Sequence, residues 1–200
     1  MTPCADWSIC EDDCCRNNAP TAFSPLVAQT NYTGTWMAFS CTLNNADGSC
    51  DDSPVWNESP SAFICQGVET TLDNGASDLD GDSLVYELID VPNGCNSGTI
   101  TYNSPYSATY PLTTASGTFP FDAATGQSVF TPAYTPGIFE VTVIGVKIYS
   151  YRNGVLKGTI TRDMQVLTMQ GCDSLDAQYG GFSALGANTN LVNDLSLIHI

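Results

Sequence analysis

Three carboxylates stand at alternate positions in Asp78-Leu79-Asp80-Gly81-Asp82, immediately before the alternating run Ser83-Leu84-Val85-Tyr86. At neutral pH such a trio repels itself unless water, salt or a cation screens it, and the glycine among them permits a tight turn. Hard carboxylate oxygens on alternate residues of a loop can converge on one Ca2+ ion. The glutamate that an EF-hand places twelfth would fall at Ile89, so the loop is not an EF-hand. A calcium site here needs another oxygen donor, from Asp73, Asp122 or Asp163, and the set expected is Asp78, Asp80, Asp82 and Asp163. The competing reading is a solvated acidic turn whose aspartates cap backbone amides.

Catalytic constellations are sparse. His199 is the sole histidine and lies in the terminal tail, which argues against Ser-His-Asp and Cys-His arrangements. Nothing singles out a carboxylate pair for glycoside hydrolysis among twenty-one acids, and the expectation is a protein that is not an enzyme. Trp7, Trp36 and Trp56, with Tyr102, Tyr106 and Tyr110, offer flat faces for sugar rings or filler for a core.

Five Lys plus Arg against twenty-one Asp plus Glu give a net charge of −16, which repels nucleic acid and anionic lipid. With 42% hydrophobic residues the chain has the apolar content to fold. Nine cysteines in a chain rich in Asn, Thr, Ser and Gly favour an oxidising compartment. Their spacing lacks the paired C-x₂-C pattern of a zinc site. The odd number leaves one cysteine free, paired outside the chain, or without its partner. No run approaches the roughly 18 apolar residues that span a membrane, and residues 1–20 lack the basic start and apolar segment of a signal peptide. The expectation is therefore a piece of a longer exported protein, with no membrane insertion and no nucleic acid partner.

The elements that must position the acidic loop read as strands. Leu84, Tyr86 and Leu88 share one face of a strand over 83–90, and Glu87 points the other way. Runs at 61–65 and 69–72 read as a first strand pair, and 119–122 with 128–130 as a hairpin around Ala124-Thr125-Gly126. The polar stretch 92–118 is too long for a turn, so it is a crossover or a binding loop. In 138–149, Phe139, Val141 and Val143 share one face and Ile144, Val146 and Ile148 the other. Either a bulge at Ile144-Gly145 swaps the buried face or the strand is buried on both. Asn153-Gly154 marks a type I′ hairpin turn, leading to a last strand over 159–169.

Prolines at Pro54 and Pro60 mark a boundary. Residues 1–53, with six of the nine cysteines and short strands at 21–27 and 32–43, read as the C-terminal part of an upstream Cys-rich β domain. Residues 54–172 read as an all-β, immunoglobulin-like sandwich of about seven strands. Residues 173–200 read as a linker or the start of a next domain. Their last six, 195–200, look like translated adapter sequence.

The order of several motifs resembles the cadherin-like or polycystic-kidney-disease-like repeats of large surface proteins of gliding, gram-negative bacteria. They are Ser53-Pro54-Val55, Ile64-Cys65, Asp78 to Tyr86, Tyr106-Ser107-Ala108-Thr109, Phe121 to Gly126, Phe130-Thr131-Pro132, Gly137-Ile138-Phe139, Tyr151 to Gly154, Arg162 to Val166 and Cys172. The resemblance implies an extracellular sandwich module in a long multi-domain protein exported by the type IX system, with surface display or adhesion as its role. Its partners would be neighbouring domains of the same chain and a surface glycan or protein ligand. A carbohydrate-binding module is the alternative.

In a sandwich the first and last strands often run parallel as neighbours, so Cys65 and Cys172 at their ends can form a bridge. A Cys65–Cys95 bridge is the alternative. Four of the five cations, Lys147, Arg152, Lys157 and Arg162, fall in the last hairpin, where they can meet the acidic loop, a neighbouring module or solvent. Lys147 and Lys157 read as solvent-face charges, and Arg162 as a fixed ion pair or hydrogen bond.

Overall fold

Two long strands joined at Asn153-Gly154 form the spine of the structure, a computed structural model that describes residues 3–14, 16, 26–28, 30, 35–61, 63–170 and 172. Both turn residues take positive φ, 52° at Asn153 and 78° at Gly154, the backbone a type I′ hairpin requires.

The described residues form eleven strands and no α-helix. They are β1 (Trp7–Asp13), β2 (Leu26–Ala28), β3 (Met37–Leu43), β4 (Val55–Trp56), β5 (Phe63–Cys65), β6 (Thr70–Asp73), β7 (Ala76–Ser77), β8 (Ser83–Ile89), β9 (Gln127–Phe130), β10 (Phe139–Arg152) and β11 (Val155–Met169).

The spine is longer than its neighbours, so two partners share each edge. β11 takes β3 antiparallel at Gly158 to Ile160 and β5 parallel at Leu167 to Met169. β10 takes β2 parallel at Phe139 to Val141 and β8 antiparallel at Gly145 to Tyr151. β1 pairs with β3 and ends the sheet. The other strands form two small sheets, β4–β7 and β6–β9. The protein is all-β, and this arrangement is consistent with a β-sandwich.

One face of the large sheet carries Ile144, Val146, Ile148, Ile160, Met164 and Val166, packed with Leu72, Tyr86, Leu112, Phe119 and Phe130. The opposite face carries Val141, Val143 and Leu167 against Val91 and Ile100. β10 is thus buried on both faces, and no bulge forms at Ile144-Gly145. The register shift lies at Ser150/Tyr151, beside the turn. The stretch 92–118 supplies Ile100 to one core and Leu112 to the other, so it covers both faces as a crossover.

Two expected local pairings give way to distant ones. β5 pairs with β11 rather than with β6, and β6 pairs with β9, which leaves 119–122 outside any strand. The expected boundary at Pro54 falls within the chain's first compact unit, Met1–Gln170, because β1 and β3 join the same sheet as β8 and β10. Pro54 itself is buried. The second unit is Gly171–Ile200, of which only Cys172 is described. His199 and the expected linker 173–200 lie outside the described residues, as do 21–25 of the expected strand 21–27 and 32–34 of the expected strand 32–43, whose later part forms β3. No helix among the described residues is long and apolar enough to cross a membrane.

Candidate functional site

The acidic loop sits where the β10–β11 turn, the loop before β8 and residues 50–52 meet. Its first aspartate organises the backbone: Asp78 Oδ1 accepts from the Asp80 N–H at 2.9 Å and the Asp82 N–H at 3.1 Å. Gly81, at φ 76°, donates its N–H to the Asp78 carbonyl at 3.3 Å. Asp78 Oδ2 is enclosed and has no partner among the described residues. Asp78 therefore acts as the turn's cap.

A cation fills the space that Asp80 and Asp82 face, and it is Arg152. The register explains how it arrives: Ser83 opposes Tyr151, so Arg152 at the end of β10 lies beside Asp82. Its Nε donates to Asp82 Oδ1 at 2.7 Å and its Nη2 to Asp82 Oδ2 at 3.1 Å, a two-pronged fit to one carboxylate. The same Nη2 reaches Asp51 Oδ1 at 2.8 Å and Asp80 Oδ2 at 2.9 Å, and Nη1 donates to the Cys50 carbonyl. Asp80 Oδ2 also accepts the Asp52 N–H at 2.7 Å. The side chains of Asp51 and Asp82 are each 1% exposed.

These positions set opposing titrations. Burial pushes the Asp51 carboxyl above its usual range and Arg152 pulls it back, while Asp82 and Asp80 push it further up. The Asp52 amide chiefly, with Arg152, holds Asp80 below that range against some burial. Arg152 is held more firmly protonated than a free guanidinium, first by Asp82.

None of the three candidate extra donors joins the loop's aspartates. Asp163 pairs in register with Gly145, seven residues from Arg152 along β10, roughly 20 Å away at strand spacing. Its carboxylate meets Arg16 at 2.5 Å, both side chains being almost fully buried. Burial raises the Asp163 carboxyl and Arg16 opposes the rise. Arg16 also donates to Thr35 Oγ1 and to the carbonyls of Trp36 and Pro92, tying three segments to the sheet. Asp73 accepts from Gly75 N–H and Gln127, and Asp122 caps the Ala124 amide. The set Asp78, Asp80, Asp82 and Asp163 is thus not brought together.

The remaining cations are also engaged. Lys157, expected at the solvent face, is 2% exposed and donates to Asp47 at 2.8 Å and Ser49 at 2.9 Å. Arg162 lies 4.3 Å over the Trp56 ring and donates to the Glu58 carbonyl. Lys147 sits over Tyr149.

The aromatic residues do not share a face. Trp7 pairs with Leu43 on one side of the β1–β3 pair, whereas Trp36 sits with Asp12 beside Gly94 on the other. Trp56 is under Arg162, Tyr106 and Tyr110 stack on each other at 5.8 Å, and Tyr102 donates to the Val143 carbonyl.

Cys95 is bonded to Cys10, which removes the Cys65–Cys95 alternative. Cys14, Cys65 and Cys172 are each disulfide-bonded, and Cys4, Cys41 and Cys50 are free thiols. Cys10, Asp12 and Cys95 cluster at metal-ligand spacing, but both sulfurs are spent in the bridge, leaving a metal only one carboxylate. The Cys10–Cys95 bridge and the Arg16 clamp carried no signal in the spacing, since their partners lie 85 and 147 residues apart.

Comparison with family models, curated proteins and solved structures finds no match to this chain.

Proposed function

We propose that the chain is a non-catalytic, extracellular, immunoglobulin-like β-sandwich module of a large bacterial surface protein, serving as a spacer and adhesive element. The observation that carries this reading is the use of its charged groups. Asp51, Asp80 and Asp82 close on Arg152, Asp163 on Arg16 and Asp47 on Lys157, so these side chains hold the fold. Arg152 supplies at the acidic loop the positive charge that Ca2+ would bring. The disulfides fit an oxidising compartment, and within it we assign Cys65 and Cys172 to one another, since Cys65 lies opposite Met169 in the parallel β5–β11 pair.

Two measurements test the reading. Peptide mapping without reduction should recover a Cys65–Cys172 peptide. A glycan array probed with the oxidised chain should show no bound sugar, because the exposed tryptophans lie on different faces. A reproducible glycan hit would transfer the assignment to a carbohydrate-binding module.

A further inference from the structure

Among the described residues β1 is an edge strand, and the charges that guard it are all acidic. It ends the seven-stranded sheet, and every second residue turns its N–H and C=O away from β3. It contains no proline, glycine or lysine, the residues that commonly blunt an edge. Residues Trp7 to Asp12 are exposed, and Asp13 is half-buried. One face is pinned by the Cys10–Cys95 bridge and by Asp12, which accepts the Cys95 N–H. The other face is divided. Ile9, 62% exposed, stands beside Cys41 and Phe39, the latter 41% exposed, and Glu11 and Asp13 continue the same face. Neither carboxylate has a hydrogen-bond or ion-pair partner among the described residues.

We propose that β1 is a docking edge for an added β-strand from another protein, an extended segment that places apolar residues beside Ile9 and Lys or Arg beside Glu11 and Asp13. Strand addition supplies main-chain hydrogen bonds, and alternate side chains supply the selection. The chain cannot provide the basic residues itself. It has five Lys plus Arg, and all are engaged: Arg16 with Asp163, Arg152 with the acidic loop, Lys157 with Asp47, Lys147 with Tyr149 and Arg162 with Trp56. A second copy would bring its own Glu11, Asp12 and Asp13 against the same edge, and like charges across a strand pair are destabilising.

The test uses the oxidised 200-residue chain and three synthetic ten-residue probes, read by isothermal titration calorimetry. One probe carries threonine on one face and two valines followed by three lysines on the other, so that Val and Lys share the face that meets Ile9, Glu11 and Asp13; the second has Glu in place of Lys, and the third is the first with two threonines replaced by proline. The first should bind about tenfold or more tightly than the third, which has the same charge but cannot complete a ladder. The second should not bind. Glu11→Lys with Asp13→Lys should abolish binding, and Glu58→Lys with Glu69→Lys, an equal change of charge outside β1 and β3, should not. If the first pair fails to fold, Ile9→Lys carries the same expectation. Equal binding of the first and third probes, or equal loss in both double variants, overturns the proposal. So does dimerisation of the wild-type chain in sedimentation that Glu11→Lys with Asp13→Lys removes, since that makes a second copy the occupant.

Discussion

Arg152 and Asp82 form a fork-to-carboxylate pair in which the enclosed Asp82 carboxylate is matched by a guanidinium that is itself partly exposed. Replacing the guanidinium by a neutral amide leaves Asp51, Asp80 and Asp82 facing one another across the space it filled. Arg152→Gln should therefore lower the melting temperature at pH 7. The wild-type melting temperature should not respond to millimolar calcium, whereas that of Arg152→Gln should rise, because converging carboxylates then lack their cation. Differential scanning calorimetry with and without calcium checks both. Lys157 and Asp47 allow a cleaner reading of pH. The hydrogen bond from Lys157 chiefly, then that from Ser49, holds the Asp47 carboxyl well below the usual carboxylate range. A folded-state pKa below the unfolded one means that the contribution is complete above the unfolded value and lost as pH falls toward the folded one. The gap in melting temperature between wild type and Asp47→Asn should be largest near pH 6 and shrink steadily below about pH 4. Asp51, raised by burial, contributes with the opposite sign, so the difference between the two proteins is the informative quantity.

At the scale of elements, β10 shows why an apolar run with both parities filled resists interpretation. Phe139 to Ile148 fits a strand that changes its buried face and a strand buried on both, and only the neighbours decide. The deciding neighbours are Val91 and Ile100 on one side and Leu72, Leu112 and Phe130 on the other, of which only Phe130 is near β10 in sequence. Gly145 records the tightness of that double burial. A Cβ there would stand 2.9 Å from the Ile89 carbonyl oxygen and 2.9 Å from Val91 Cγ2. Gly145→Ala should destabilise by about 1–3 kcal/mol, the usual cost of overpacking, measured by urea unfolding. Signals that act locally were legible: Asn153-Gly154 specified its hairpin, and the alternation of Leu84, Tyr86 and Leu88 specified which face of β8 is buried. Pairings that span the chain were not. Nothing near 61–65 indicates that its partner is Leu167 to Met169, and a short separation made 69–72 look like the natural mate. The acidic loop was visible as a place needing a cation, but the identity of the cation depended on a strand register.

At the scale of the molecule, the described part of residues 1–53 belongs to the same architecture as residues 54–170. β1 and β3 extend the large sheet, Arg16 anchors to Asp163, and the Cys10–Cys95 bridge ties β1 to the crossover that covers both cores. Cys10→Ser with Cys95→Ser should cost about 2–4 kcal/mol, a range typical for a bridge closing a long loop. The loss should show as a lower urea midpoint together with faster amide exchange in β1, whose main remaining attachment is its ladder to β3.

The same bridge also limits how far the chain can be drawn out. Tension entering at the amino end can pass through Cys10 directly to Cys95, so the backbone between them, a separation of 85, cannot be drawn out end to end while the sulfurs stay joined. Fully extended, that stretch would span roughly 290 Å, length that remains hidden until the bridge is reduced. Redox state, more than the strength of any single strand pair, sets the reach of this protein under load.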